Sequence, residues 1–500
     1  MAPTIYQQIG PQQEQDETSS VSSVPVYFKP TPQHPFGGSF FTPARILMLF
    51  TSLSFLTYVD RGTFASAREF MIAEFSLSNF EYGVAGGAYL VGFALSGPFF
   101  AHFSHRFPPV RMMCLGLSVW SFASACSGLA LEFYTLTLAR ALTGVGEASF
   151  LCLAPPFIDA FAPKERRSIW LAIFYCSIPV GVASGYVLAG QWLNSEPFGA
   201  SWSWRAFFIL QGILMIPFVV TAFFIRGPPT MKELIPESGG PNVATGQVAT
   251  QESYEELSQS NVDVECERVQ KEFFVLIRNP PYIALVLGYA CQTFVVGGFA
   301  LYGPGYVQTV YHYDIGHATL VFGGVTVVTG LAGTAFGGAI LDYLRRSAIS
   351  PFHAVPYACL LLTIFSILSL PAAVIAFMVE WDIGFFLAIF VAEFFLFAQI
   401  SPINSAILWL IDLEFRPFAL ALCVIVIHFL GDAISPPIIG LLIDRTNNNW
   451  RLSMFLASCW LVLPVIFYAA SWRLSLRRVK QQALLQVHKQ RLMNVIADEE

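Results

Sequence analysis

The chain has 500 residues, 55% of them hydrophobic and only 12% charged, with a formal net charge of −6. A soluble domain carries about twice that share of charge, and no soluble core hides a dozen charge-poor stretches of spanning length, which excludes a soluble enzyme. The acidic excess lies mainly in the tails and the central loop, and no basic face suited to nucleic acid is present.

Residues 1–42 form a polar, proline-bearing tail without the apolar core of a signal peptide, so the first span is expected to act as its own insertion signal. Six spans follow within 43–227, at about 43–63, 80–104, 110–130, 133–158, 167–192 and 204–226. Residues 228–279 are rich in Glu, Ser, Gln, Gly and Pro and read as a disordered linker, ending in a short surface helix near 265–277. Six more spans occupy 280–474, at about 281–304, 317–342, 354–378, 384–410, 417–442 and 451–473. Residues 475–500 form a basic amphipathic tail suited to an anionic leaflet. The fold class expected is therefore an all-α integral membrane protein with twelve transmembrane helices in two six-helix bundles.

The basic residues orient it. Arg61, Arg68, Arg205, Arg445 and Arg451 flank one side and Arg140 lies inside a span, while every other Lys and Arg falls on the side of the tails and linker. The positive-inside rule makes that side cytosolic. Of the nine cysteines, all but Cys266 lie within apolar spans as small hydrophobes, so neither a disulfide framework nor a metal site is expected.

Charges inside apolar spans each cost about 2.5–3.5 kcal/mol even on the lenient insertion scale, and so mark function. Asp60 and Arg61 end the first span; Arg140 and Glu147 lie in the fourth. Arg140, Gly144 and Glu147 share one helix face, with the two charges ~10 Å apart along the axis. That gap leaves Arg140 available to an incoming anion, whose phosphate oxygens its planar fork fits. Burial disfavours the ionised form of Glu147 and a nearby arginine favours it, the balance that proton coupling requires. A permanent Arg140–Asp60 brace is the competing possibility. Glu393 is a further carboxylate in an oily run. Asn404 is one of few deep amides, with Gln399 and Gln292, so the aromatic-rich interior suits an acyl chain better than a sugar. His428 and Asp432, four apart, are expected to hydrogen-bond each other or the backbone. Prolines in Ser177–Gly181 and Ile434–Pro437 suggest bends used in rocking.

An internal repeat is visible. The second span ends near His105 and Arg106, and the eighth near Gly338, Asp342, Arg345 and Arg346. In the second copy the glycine permits close helix contact and the aspartate can cap a helix or pair with an arginine. In the first copy Ala101 and His105 stand in those two positions, which suggests a looser or pH-sensitive gate. Tyr6–Ile9 and Tyr254–Leu257 fit a short tyrosine-based endosomal sorting pattern.

The six-plus-six arrangement and the Gly338-to-Arg346 motif resemble the major facilitator superfamily. The stretch RALTGVGEAS…APP…ERR…IFYCSIPVG from Arg140 to Gly181, with YVDR at 58–61 and HFLGDAISPPIIGLLIDR at 428–445, resembles its Spinster branch. The resemblance covers residues 45–475 apart from the linker. It implies alternating-access transport of sphingosine-1-phosphate or a lysophospholipid across an endolysosomal or plasma membrane, with proton coupling in some members and no bound cofactor beyond a proton gradient. The substrate contacts expected are Arg140, Glu147, Asn404 and Glu393, the last matching a glutamate in the family's tenth helix. Proton coupling would fall to Asp60, Glu147 and Arg61, and gating or support to His105, Arg106, Gly338, Asp342, Arg345, His428 and Asp432. A small organic anion carried by the same machinery, or a transport-dead sensor, are the alternatives. No P-loop, HExxH or clustered His-Asp set supports an enzyme. Oligomeric state is open.

Overall fold

The apolar stretches fold as helices throughout the computed structural model, which describes residues 41–104, 106–163, 166–225, 272–346, 351–412 and 415–499. No strand occurs among the described residues. The first bundle contains α1 (Pro43–Ser66), α2 (Arg68–Phe75), α3 (Asn79–Phe103), α4 (Pro109–Gly128), α5 (Phe133–Phe161), α6 (Arg167–Ser195) and α7 (Ala200–Phe223). The second contains α8 (Pro280–Tyr311), α9 (Ile315–Arg345), α10 (Pro351–Met378), α11 (Asp382–Ala398), α12 (Ile400–Leu410), α13 (Arg416–Ile427), α14 (Ser435–Arg445), α15 (Trp450–Cys459) and α16 (Val462–Glu499). Eleven membrane-length apolar helices are present among the described residues, and α1, which carries Asp60 and Arg61, completes the twelve columns. The side where α1 begins and α16 ends is called the terminal face below, the opposite side the far face.

Departures from the expected spans have local causes. The short α2 was not anticipated; Glu74 pins it to α7, accepting from Arg205 Nη2 at 2.6 Å and from the Trp204 indole at 2.7 Å. The tenth column breaks at Gln399 into α11 and α12, three residues before Pro402, which has no N–H to continue the ladder. The eleventh breaks more fully. Between α13 and α14, His428–Asp432 forms a π-helical turn with Gly431 at φ −109°, ψ −105°, ahead of Pro436 and Pro437. By contrast, α6 runs unbroken through Pro179. The last helix, α16, runs on through residue 475 into the tail and is 38 residues long, about 57 Å, longer than the hydrocarbon core. In the linker, residues 272–277 are helical; residues 228–271, and His105, lie outside the described residues.

Small residues set how closely the helices approach. A Cβ at Gly62 of α1 would lie 2.1 Å from Val182 O of α6, and one at Gly144 of α5 would lie 1.9 Å from Tyr89 O of α3. Those two crossings seat α1 on α6 and α5 on α3, and α1 and α5 are the helices that carry the buried charges.

The bundles meet at the far face. The Asp444 carboxylate, at the end of α14, accepts from the backbone N–H groups of Asn79 (3.1 Å) and Phe80 (2.9 Å) and from the Asn79 amide (2.7 Å), so one bundle caps a helix of the other. The Arg68 guanidinium, bonded to Asn79 and Glu69, stacks on Trp450 at 4.4 Å. Tyr302 Oη lies 3.0 Å from both Asn79 O and Pro436 O; Tyr186 donates to Ala300 O (2.6 Å) and Gln191 to Gly316 O (3.1 Å). Removing one helix cap costs about 1 kcal/mol, roughly fivefold in an equilibrium. Asp444→Ala is therefore expected to raise labelling of a cysteine at Ala433, in the buried α3–α14 seam, about fivefold with an impermeant maleimide. Unchanged labelling would mean that the cap does not hold this face shut.

Candidate functional site

Two ion pairs join α1 to α5 in the interior of the first bundle. Arg140 of α5 donates through Nη1 and Nη2 to the two Asp60 oxygens at 3.0 and 2.6 Å. Asp60 is wholly buried and Arg140 is 2% exposed. The guanidinium sits among the Phe64, Tyr89 and Phe208 rings at 4.8, 5.3 and 5.7 Å, and its Nε has no hydrogen-bond acceptor among the described residues. One residue further along α1, Arg61 donates through Nη2 to Glu147 Oε1 at 3.1 Å. Tyr89 of α3 bridges this second pair: its hydroxyl accepts from Arg61 Nε at 3.0 Å and donates to Glu147 Oε2. The Tyr58 and Tyr89 rings flank the Arg61 guanidinium at 4.6 and 4.9 Å.

This arrangement revises the expected division of roles. Arg140 is not free in this state, because both its terminal nitrogens are bound by Asp60. The ~10 Å between Arg140 and Glu147 on α5 is filled instead by two successive residues of α1, each pairing with one of them. The reachable cation is Arg61, with a quarter of its side chain exposed while Glu147 is fully buried.

In the second bundle, Glu393 of α11 is buried and accepts from Thr329 of α9 at 3.1 Å. Asn404, expected at the substrate, is exposed on α12, and its amide donates back to Ile400 O of its own helix at 2.9 Å. His428 and Asp432 bond each other at 2.9 Å within the π turn, and the His428 ring meets Phe93 of α3 edge-on at 5.0 Å. Gly338 lets α9 approach Ser401 of α12; Asp342 is exposed at the end of α9, Arg345 lies over Trp409 at 5.4 Å, and Arg106 is exposed. Tyr89, Arg68, Asn79 and Asp444 were not anticipated. Only Asp444 carried a signal, as the acid of LIDR closing the eleventh span.

Buried charge pairs on one bundle, facing a second bundle closed against it at one face, define a membrane transporter rather than an enzyme. The Major Facilitator Superfamily profile matches residues 50–406. "Probable sphingolipid transporter spinster homolog 2" of Arabidopsis thaliana is 34% identical over 88% of this chain and 88% of its own length. "Protein spinster homolog 1" of Homo sapiens is 26% identical over 81% and 74%. The chain belongs to the Major Facilitator Superfamily, in its Spinster branch. Among solved structures, a bacterial homologue of the human lysosomal transporter Spinster, inward-facing and unoccupied, superposes with a TM-score of 0.70 at 18% identity, covering 88% of this chain and 99% of that one. A D-xylose-proton symporter gives 0.62 at 16% identity, covering 86% and 97%. Both share the fold.

Proposed function

We propose that this transporter carries a lysolipid, sphingosine-1-phosphate or a lysophospholipid, by proton-coupled alternating access. The observation that carries this reading is the Arg61–Glu147 pair, its arginine a quarter exposed and its carboxylate buried, in a bundle closed against the other at the far face. An arginine held by a buried carboxylate is a site where protonation and anion binding exclude each other. When Glu147 takes a proton, its hold on Arg61 loosens and the guanidinium fork is free for a phosphate group. Release of the anion lets Arg61 re-pair and the proton leave. Asp60 and Arg140 stand as the reserve pair, one residue away on α1 and about two turns away on α5, engaged in this state. Glu393, bonded to Thr329 in the second bundle, is a further substrate contact. The aromatic walls of both bundles suit an acyl chain. Both termini and the linker face the cytosol, in keeping with the basic residues gathered there, and the membrane is endolysosomal or plasma.

Competition separates the cargo classes. Long-chain phosphates are expected to displace labelled sphingosine-1-phosphate from the purified transporter at concentrations at least tenfold below those of short-chain phosphates, since each buried methylene contributes about 0.8 kcal/mol. Equal competition would favour a small organic anion as cargo.

A further inference from the structure

Among the described residues, the Tyr89 hydroxyl is the neutral group that hydrogen-bonds both members of the exchanging pair. It accepts from Arg61 Nε and donates to Glu147, while its ring stands 4.9 Å from the Arg61 guanidinium and 5.3 Å from that of Arg140. Its placement is fixed by backbone: Gly144 leaves room for Tyr89 O, and Gly92, one turn along, packs against Ala141 O, where a Cβ would lie 2.1 Å away. The ring is 3% exposed, so the hydroxyl cannot exchange these partners for bulk water. The other charged or titratable groups facing the pair are Tyr58 and Asp60 from α1, with Tyr175 of α6 beside Tyr58, and His428 and Asp432 from the broken eleventh column.

We propose that Tyr89 is the positioning residue of the exchange: it holds the Arg61–Glu147 pair in register and, when that pair opens, turns its hydroxyl to the incoming phosphate as a second donor beside Arg61. This rests on the proton-coupled reading above. The phenol keeps its own proton throughout; Glu147 takes its proton from water and returns it there. A hydroxyl donating to Glu147 favours the carboxylate, so its loss lets Glu147 stay protonated to higher pH. Donation to the phosphate adds a charge-assisted hydrogen bond to substrate binding.

The test is uptake of labelled sphingosine-1-phosphate into proteoliposomes across pH, comparing wild type, Tyr89→Phe and Glu147→Gln. Phenylalanine keeps the ring against both guanidinium groups and removes only the hydroxyl. Tyr89→Phe is expected to move the alkaline limb of uptake up by about one pH unit and to raise KM about tenfold at little change in maximal rate. Either quantity staying at the wild-type value, with Glu147→Gln flat across pH, overturns the assignment of Tyr89 alone. A Glu147→Gln profile that still titrates like wild type overturns the proton reading itself, and the inference with it.

Discussion

Glu147→Gln is expected to bind and move lysolipid at a rate independent of the proton gradient. The amide is nearly isosteric with the protonated acid, so Arg61 and Tyr89 keep a partner of the right shape but lose the charge that holds them. Glu147 is wholly buried, and its charged contact is Arg61 at 3.1 Å, so the variant mimics the protonated state permanently. Wild-type uptake driven by an imposed gradient should exceed the variant's at least tenfold, while uptake without a gradient should match within about threefold. Those ratios correspond to about 1.4 kcal/mol or more of coupling in the first case and under 1 kcal/mol in the second. A variant that still concentrates substrate against its gradient would show that Glu147 is a structural carboxyl.

Arg140→Ala carries the largest expected effect on stability. It leaves Asp60 charged, buried and unpaired, and breaking a buried pair from one side destabilises by about 3–5 kcal/mol. The single variant is expected to unfold at markedly lower temperature and to lose transport. The double variant Asp60→Asn, Arg140→Met removes both charges and fills similar volume, so most of the lost stability should return. The two variants separate brace from machinery. Thermal unfolding recovered with transport still absent is the expected result; recovery of both would reduce the pair to a structural strut.

Much of this was legible from residue types alone. Asp60, Arg61, Arg140 and Glu147 stood out because hydrocarbon tolerates no idle charge, and helical spacing put Arg140 and Glu147 on one face of α5. Which carboxylate meets which arginine was not legible. The pairing depends on the rotational phase at which α1 and α5 meet, and that phase is set by contacts such as Gly62 on Val182 and Gly144 on Tyr89, between residues far apart in sequence. Arg140 was accordingly expected free, with an Asp60 brace as the alternative, and the brace is what the structure shows. Tyr89 was invisible for a different reason: among 18 tyrosines and 47 phenylalanines, one more ring in an apolar span reads as filling. The Asp444 cap on Asn79 joins residues 365 apart, and only the meeting of the two bundles brings it about. The break of the eleventh column was announced by Pro436 and Pro437; its π turn at His428–Asp432 was not, since nothing in those five residues forbids an α-helix except Gly431.

The most direct test of proton-driven lysolipid transport is uptake of labelled sphingosine-1-phosphate and of a labelled lysophospholipid into proteoliposomes, with and without an imposed proton gradient. Uptake of at least one of them that rises with the gradient, and loses that rise in Glu147→Gln, is the predicted result. Uptake indifferent to the gradient in the wild-type protein, or no uptake of either lipid by folded protein, would contradict it.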